Sequence, residues 1–142
     1  MSETIIRQTV TVNATPHEVY ETIIDSRKHT KLTSDTAVMS RKVGGRTSAF
    51  GGYATGKTVE LIPDEKIVQT WRATDWPEGV DSTVTYAFKA VSSGTKLAFT
   101  HRHVPPEQVE QIKQGWIDFY WTPLKAMFPP SPKSRTAMPK AR

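Results

Sequence analysis

From Glu107 to Phe128 the chain reads EQVEQIKQGWIDFYWTPLKAMF. Val109, Ile112, Trp116, Phe119, Tyr120, Leu124 and Met127 recur at spacings of three and four, the period of one buried helix face. From Trp116 onward a second stripe joins it: Ile117, Trp121, Leu124 and Phe128. The back half is therefore apolar nearly all round and needs cover on both sides. A single long helix lying across a curved sheet, with part of its aromatic surface facing a cavity, meets that need. Such a helix implies a container for an apolar ligand or a docking surface rather than a built catalytic site. Val104-Pro105-Pro106-Glu107 starts it, with proline where no N–H is needed. Pro123 cannot donate to the carbonyl of Phe119 and is expected to kink the axis.

The sequence before this helix is mostly strand-like. Ile6, Val10 and Val12 share one face of a first strand, and Arg7, Thr9 and Thr11 share the other. Thr15-Pro16 then opens a helix, with Thr15 and Glu18 in capping-box spacing and Val19, Tyr20, Ile23 and Ile24 as its apolar face. A short polar helix follows around Arg27 to Leu32. The expected strands are Ala37–Arg41, Thr47–Phe50, Thr55–Ile62, Lys66–Arg72, Ser82–Ala90 and Thr95–His103. Pro63-Asp64-Glu65 and Ser92-Ser93-Gly94 suit hairpin turns, so the sheet is antiparallel and the class α+β.

At 142 residues the chain fits one domain, expected over residues 1–128 and followed by a disordered basic tail, 129–142. The net charge of +5 sits largely in that tail, PPSPKSRTAMPKAR. Without it 15 basic and 14 acidic residues remain, which argues against a nucleic-acid partner. Cysteine is absent and the N-terminal residues lack a signal-peptide pattern, so the expected location is the cytoplasm. No apolar run reaches membrane-span length.

Few segments carry a chemical signature. Gly51 to Thr58 matches GxxxxGK[ST], but a phosphate loop needs a helix after it, and Val59-Glu60-Leu61-Ile62-Pro63 is strand-like. The segment reads as a turn between strands. His101 and His103 fall on one face of the last expected strand with Leu97 and Phe99. They are either cavity-lining groups or two ligands of a metal site whose third ligand no local motif supplies. His17 and His29 read as polar helix surface. Asp75, Glu78 and Asp81 cluster in one loop, as an acid–base set or a solvated turn. Trp71 and Trp116 are expected neighbours across a core or cavity, and Trp76, with Glu78, is expected to offer a surface contact.

Gly56-x-x-x-Glu60-Leu61-Ile62-Pro63-x-x-x-Ile67-Val68-x-x-Trp71-Arg72, then Trp76-Pro77-Glu78-Gly79, then Gly115-Trp116-x-x-Phe119-Tyr120, resembles the activator of 90-kDa heat-shock-protein ATPase family. The likeness is to that activator's C-terminal domain, over roughly residues 5–128. It implies the helix-grip, START-like fold: a curved antiparallel sheet of six to seven strands on a long C-terminal helix, with two short helices after the first strand. In the family an additional N-terminal domain gives the main grip on the chaperone, and the second half contacts the chaperone's nucleotide-binding domains. The present sequence matches that second half alone. Superfamily relatives include carriers of apolar molecules and aromatic-polyketide cyclases.

The resulting expectation is a cytoplasmic, monomeric, non-enzymatic binding domain without metal or cofactor. Its partners would be the 90-kDa heat-shock chaperone and a small hydrophobic ligand. The expected cavity residues are Val10, Phe50, Trp71, Phe88, Phe99, His101, Trp116, Tyr120 and Leu124, each on an inward-looking face. The alternatives are a stand-alone carrier of a small aromatic or lipid-like molecule, and a cyclase-like enzyme using His101 or His103 as base.

Overall fold

Strict alternation makes the first strand. In β1 (Ile5–Val12), Ile6, Val10 and Val12 are buried while Arg7, Thr9 and Thr11 face solvent. The computed structural model describes residues 5–77 and 79–129, so the expected tail lies almost wholly outside the described residues. After β1 the capping box forms as the spacing predicts. Thr15 Oγ1 accepts from the Glu18 N–H at 3.1 Å and Glu18 Oε1 accepts from the Thr15 N–H at 2.8 Å. These bonds satisfy two N–H groups at the start of α1 (Pro16–Ile24). Thr15→Ala is expected to cost about 1 kcal/mol in urea unfolding, and an unchanged midpoint would count against the box as a stabilising device. Asp25 caps α2 (Ser26–Thr33) by accepting from the Lys28 N–H, and Ser34 ends it at a left-handed φ of 63°.

Five strands follow: β2 (Arg46–Ala49), β3 (Ala54–Ile62), β4 (Lys66–Ala73), β5 (Ser82–Val91) and β6 (Gly94–Arg102). The sheet order is β1-β6-β5-β4-β3-β2, antiparallel throughout. The class is α+β, as expected. Among the described residues the sheet has six strands, because residues 37–41 do not form one. Val38 makes a single bridge to Ser48, and the backbone around it is held by side chains instead. Ser26 Oγ accepts from the Met39 N–H, Thr30 Oγ1 from the Ala37 N–H, and Thr58 Oγ1 donates to the Ser40 carbonyl. These bonds replace a ladder and leave Val38 and Val43 facing solvent.

The last strand also ends early. His103 lies beyond β6 with φ 65° and is exposed, so it does not share the buried face of Leu97, Phe99 and His101. The long helix then runs as three contiguous pieces, α3 (Val109–Trp116), a π-helical turn (Ile117–Trp121) and α4 (Thr122–Met127). Pro123 gives the reason. It has no N–H to offer the preceding turn, and the ladder shifts register just before it, with the Thr122 N–H bonded to the Ile117 carbonyl. The irregularity expected at the proline is thus a widened turn. Much of both apolar stripes finds cover, while Phe119 of the first stays exposed. Trp116, Tyr120, Trp121 and Leu124 pack with Val10, Tyr86, Leu97 and Phe99 from the strands and with Ile23 and Ile24 from α1 in one core.

Candidate functional site

Two buried histidines fix the pose of the helix over the sheet. His101, on β6, is fully buried. Its Nδ1 accepts from Trp116 Nε1–H at 3.1 Å, so the ring proton sits on Nε2 and is donated to Ser82 Oγ at 2.7 Å. Ser82 in turn donates to the Trp71 carbonyl at 2.6 Å. Burial pushes the His101 imidazole down to about 3, so the ring is neutral at physiological pH.

His29 holds the opposite tautomer. Its Nδ1–H donates to the Ile23 carbonyl at 2.8 Å, and Nε2 accepts from Tyr120 Oη at 2.6 Å. Burial lowers its pKa too, and burial raises that of Tyr120. The expected surface position of His29 is therefore wrong: it is 1% exposed. The helix is anchored at Trp116 to the sheet and at Tyr120 to α2. On its other flank Trp121 Nε1–H donates to Gln8 Oε1 on β1 at 2.7 Å.

Beside these anchors a pocket of about 290 Å³ opens between the helix, β4 and the turn after β2. Its wall is aromatic: Phe50, Tyr53, Trp71, Trp116, Phe119 and Tyr120, completed by Gln111, Ile112 and Gly115. Trp71 and Trp116 stand 6.2 Å apart, ring centre to ring centre, and Phe50 meets Phe119 at 5.7 Å and Tyr120 at 6.0 Å. Phe50 has a φ of 55°, a left-handed conformation costly for a bulky side chain, followed by Gly51 at 66° and Gly52 at 101°. The turn that begins at this residue sets its ring against the helix. Phe119 and Tyr53 are 52% and 40% exposed at the rim. Tyr53 Oη donates to Asp75 Oδ1 at 3.4 Å, and the Tyr53 phenol is raised by burial and then by the Asp75 charge. Every lining side chain is uncharged at neutral pH, so the wall offers shape, π faces and a few polar atoms but no acid or base.

The expected cavity residues divide. Phe50, Trp71, Trp116 and Tyr120 line the pocket. Val10, Phe88, Phe99 and Leu124 pack in the core instead, and His101 lies buried behind Trp116, sealed by its hydrogen bonds. Sequence reasoning missed Tyr53, Gln111, Ile112, Gly115 and Phe119. Ile112 and Phe119 belong to the apolar stripe and were legible in it; Tyr53, after two glycines, carried no signal.

Trp76 is a correction. It was expected as a surface contact, but it is 4% exposed and meets Trp71 edge-on at 5.5 Å. The Arg72 guanidinium draws its loop inward by donating to the carbonyls of Trp76, Pro77 and Val80. Glu78 lies outside the described residues. Among the described residues no group of three or more His, Cys, Asp or Glu could hold a metal ion. His101 and His103 are not paired toward one. Gly51 to Thr58 is a turn running into β3, as its sequence predicts.

The family model described as "Activator of Hsp90 ATPase homolog 1-like protein" matches residues 13–129. A human relative, "Activator of 90 kDa heat shock protein ATPase homolog 1", is 29% identical over 113 residues, 80% of this chain and 33% of that protein. A Dictyostelium discoideum relative with a corresponding name is 30% identical over 102 residues, 71% of this chain and 27% of its own length. The chain thus spans about a third of the length of the curated relatives it matches. Among solved structures, an HSP90 activator from Plasmodium falciparum superposes with a TM-score of 0.78 at 29% identity, covering 89% of this chain and 97% of that one. The Aha1 dimer from Colwellia psychrerythraea superposes at 0.76 with 18% identity, covering 88% and 96%, a likeness of fold. Sheet, helices and sequence together place this chain in the Activator of Hsp90 ATPase homolog 1-like family.

Proposed function

We propose that this chain is a non-enzymatic binding domain that docks on the 90-kDa heat-shock chaperone and modulates its ATPase, using the rim of the aromatic pocket as its contact patch. The supporting observation is the exposure of Phe119 and Tyr53 around a concave apolar wall on a domain of this family. Large apolar side chains held open at a rim mark interaction surfaces. The test is a titration of the labelled domain with the chaperone and ATP, followed by amide shifts and by ATP turnover. Saturable shifts at residues 50–53 and 111–119 are expected, and Phe119→Ala is expected to weaken binding about tenfold or more. Unchanged affinity in that variant would remove the rim from the interface; no shift at high chaperone concentration would remove the chaperone.

A second reading is favoured by the concavity itself. A pocket of this volume with uncharged aromatic walls can hold a small apolar-bodied molecule, in a carrier or in a regulator that senses one. The cyclase alternative, with His101 or His103 as base, is not favoured through His101. His101 has both ring nitrogens engaged and no exposed surface, so it cannot serve as a base without dismantling the helix anchor.

A further inference from the structure

We infer that the pocket takes a small organic cation with an apolar body, such as a quaternary ammonium or a protonated aromatic amine, its charge held at the mouth between π faces and the Asp75 carboxylate. The inference rests on the second reading above and specifies its ligand.

The composition of the wall is the first ground. Six of its nine residues are aromatic, and the face of an aromatic ring carries the negative part of its quadrupole. Such faces attract a desolvated cation, most strongly with indole, and two indoles stand here at Trp71 and Trp116. The second ground is the charge around the mouth. Asp75 reaches it through Tyr53 Oη, and its negative charge contributes to the raised phenol of Tyr53. Asp35 stands behind the Phe50–Gly51 turn: a Cβ at Gly51 would lie 3.6 Å from Asp35 Oδ1. No Lys, Arg or His belongs to the wall. Arg72, next to Trp71 on β4, is engaged by three loop carbonyls. An anion would meet π faces at the wall and the Asp75 charge beyond Tyr53 at the mouth. A neutral ligand would leave the field at the mouth unused.

Three benzyl-bodied probes separate the possibilities: benzyltrimethylammonium, its neutral isostere neopentylbenzene, and the smaller anion phenylacetate. Each is titrated into the full chain at low salt, with amide shifts at residues 50–53 and 111–119 and tryptophan fluorescence as readouts. The cation is expected to bind about tenfold tighter than the neutral analogue, with phenylacetate weakest. Asp75→Asn keeps the size of the side chain and is expected to weaken the cation about fivefold, leaving the neutral analogue unchanged. Equal binding of cation and neutral analogue, or an Asp75→Asn variant that binds the cation as well as the parent, would overturn the cation assignment while leaving the pocket as a ligand site. Failure of all three probes to bind would overturn the ligand-site reading together with it.

Discussion

Replacing Trp116 by alanine is expected to cost about 4 kcal/mol, a large part of what holds a domain of this size together. Trp116 is 3% exposed and packs at 4.3 Å from Phe99, 4.4 Å from Tyr120 and 5.8 Å from Trp121, ring centre to ring centre. Its removal joins the pocket to a void in the core. It also strips the donor from His101 Nδ1, leaving a buried acceptor unpaired. Trp116→Phe separates the two effects, since it keeps most of the packing and loses the bond. It is expected to cost about 2 kcal/mol, the sum of a modest volume loss and one unsatisfied buried group. Urea or guanidinium unfolding of both variants reads the difference. A loss under about 1 kcal/mol for the alanine variant would mean that the helix is not anchored through this ring.

Acidification is the second large expected effect. His101 and His29 are both held neutral in the folded chain, with pKa values below the ordinary histidine value. In the unfolded chain each takes up a proton near pH 6.5. Between that value and the folded pKa, which for His101 is about 3, the unfolded chain therefore holds more protons. Stability is fully present above about pH 6.5 and falls as the pH drops, by up to about 1.4 kcal/mol per pH unit for each histidine. Glu21 adds a loss of the same sign at lower pH. Its carboxyl is lowered chiefly by its hydrogen bond to Arg41, so its contribution fades only below its unfolded value of 4.5. The interval from pH 6.5 to 5 thus reports the histidines. Unfolding free energies measured across it should decline steeply, and His101→Gln, though less stable at pH 7.5, should show a shallower decline. A flat profile over that interval would contradict the neutral, sealed state of both rings.

Much of the architecture is legible in local pattern. Alternation in β1 names its buried face, the Thr15–Glu18 spacing names the first helix, and the apolar stripes of residues 107–128 name the long one. Residues 37–41 mislead because Val38 and Met39 carry strand propensity. Ser26 and Thr30 on the preceding helix and Thr58 on β3 supply the hydrogen bonds that hold this backbone outside the sheet. The pocket is legible in part. Phe50, Trp71, Trp116 and Tyr120 follow from face and period, whereas Tyr53 comes from a turn whose direction no period encodes.

Sequence alone determined the α+β class, the order of elements, the family resemblance and the aromatic character of the helix, because each depends on residues a few positions apart. Tertiary structure alone decided three things. It buried His29, which sits on a helix of polar neighbours and is claimed by Tyr120, 91 residues away. It buried Trp76, whose loop is drawn inward by Arg72. And it divided the inward-looking residues into core and pocket wall, because the outcome depends on where the helix rests. That pose is set by the bonds from Trp116 to His101 and from Tyr120 to His29, long-range pairings with no local signature.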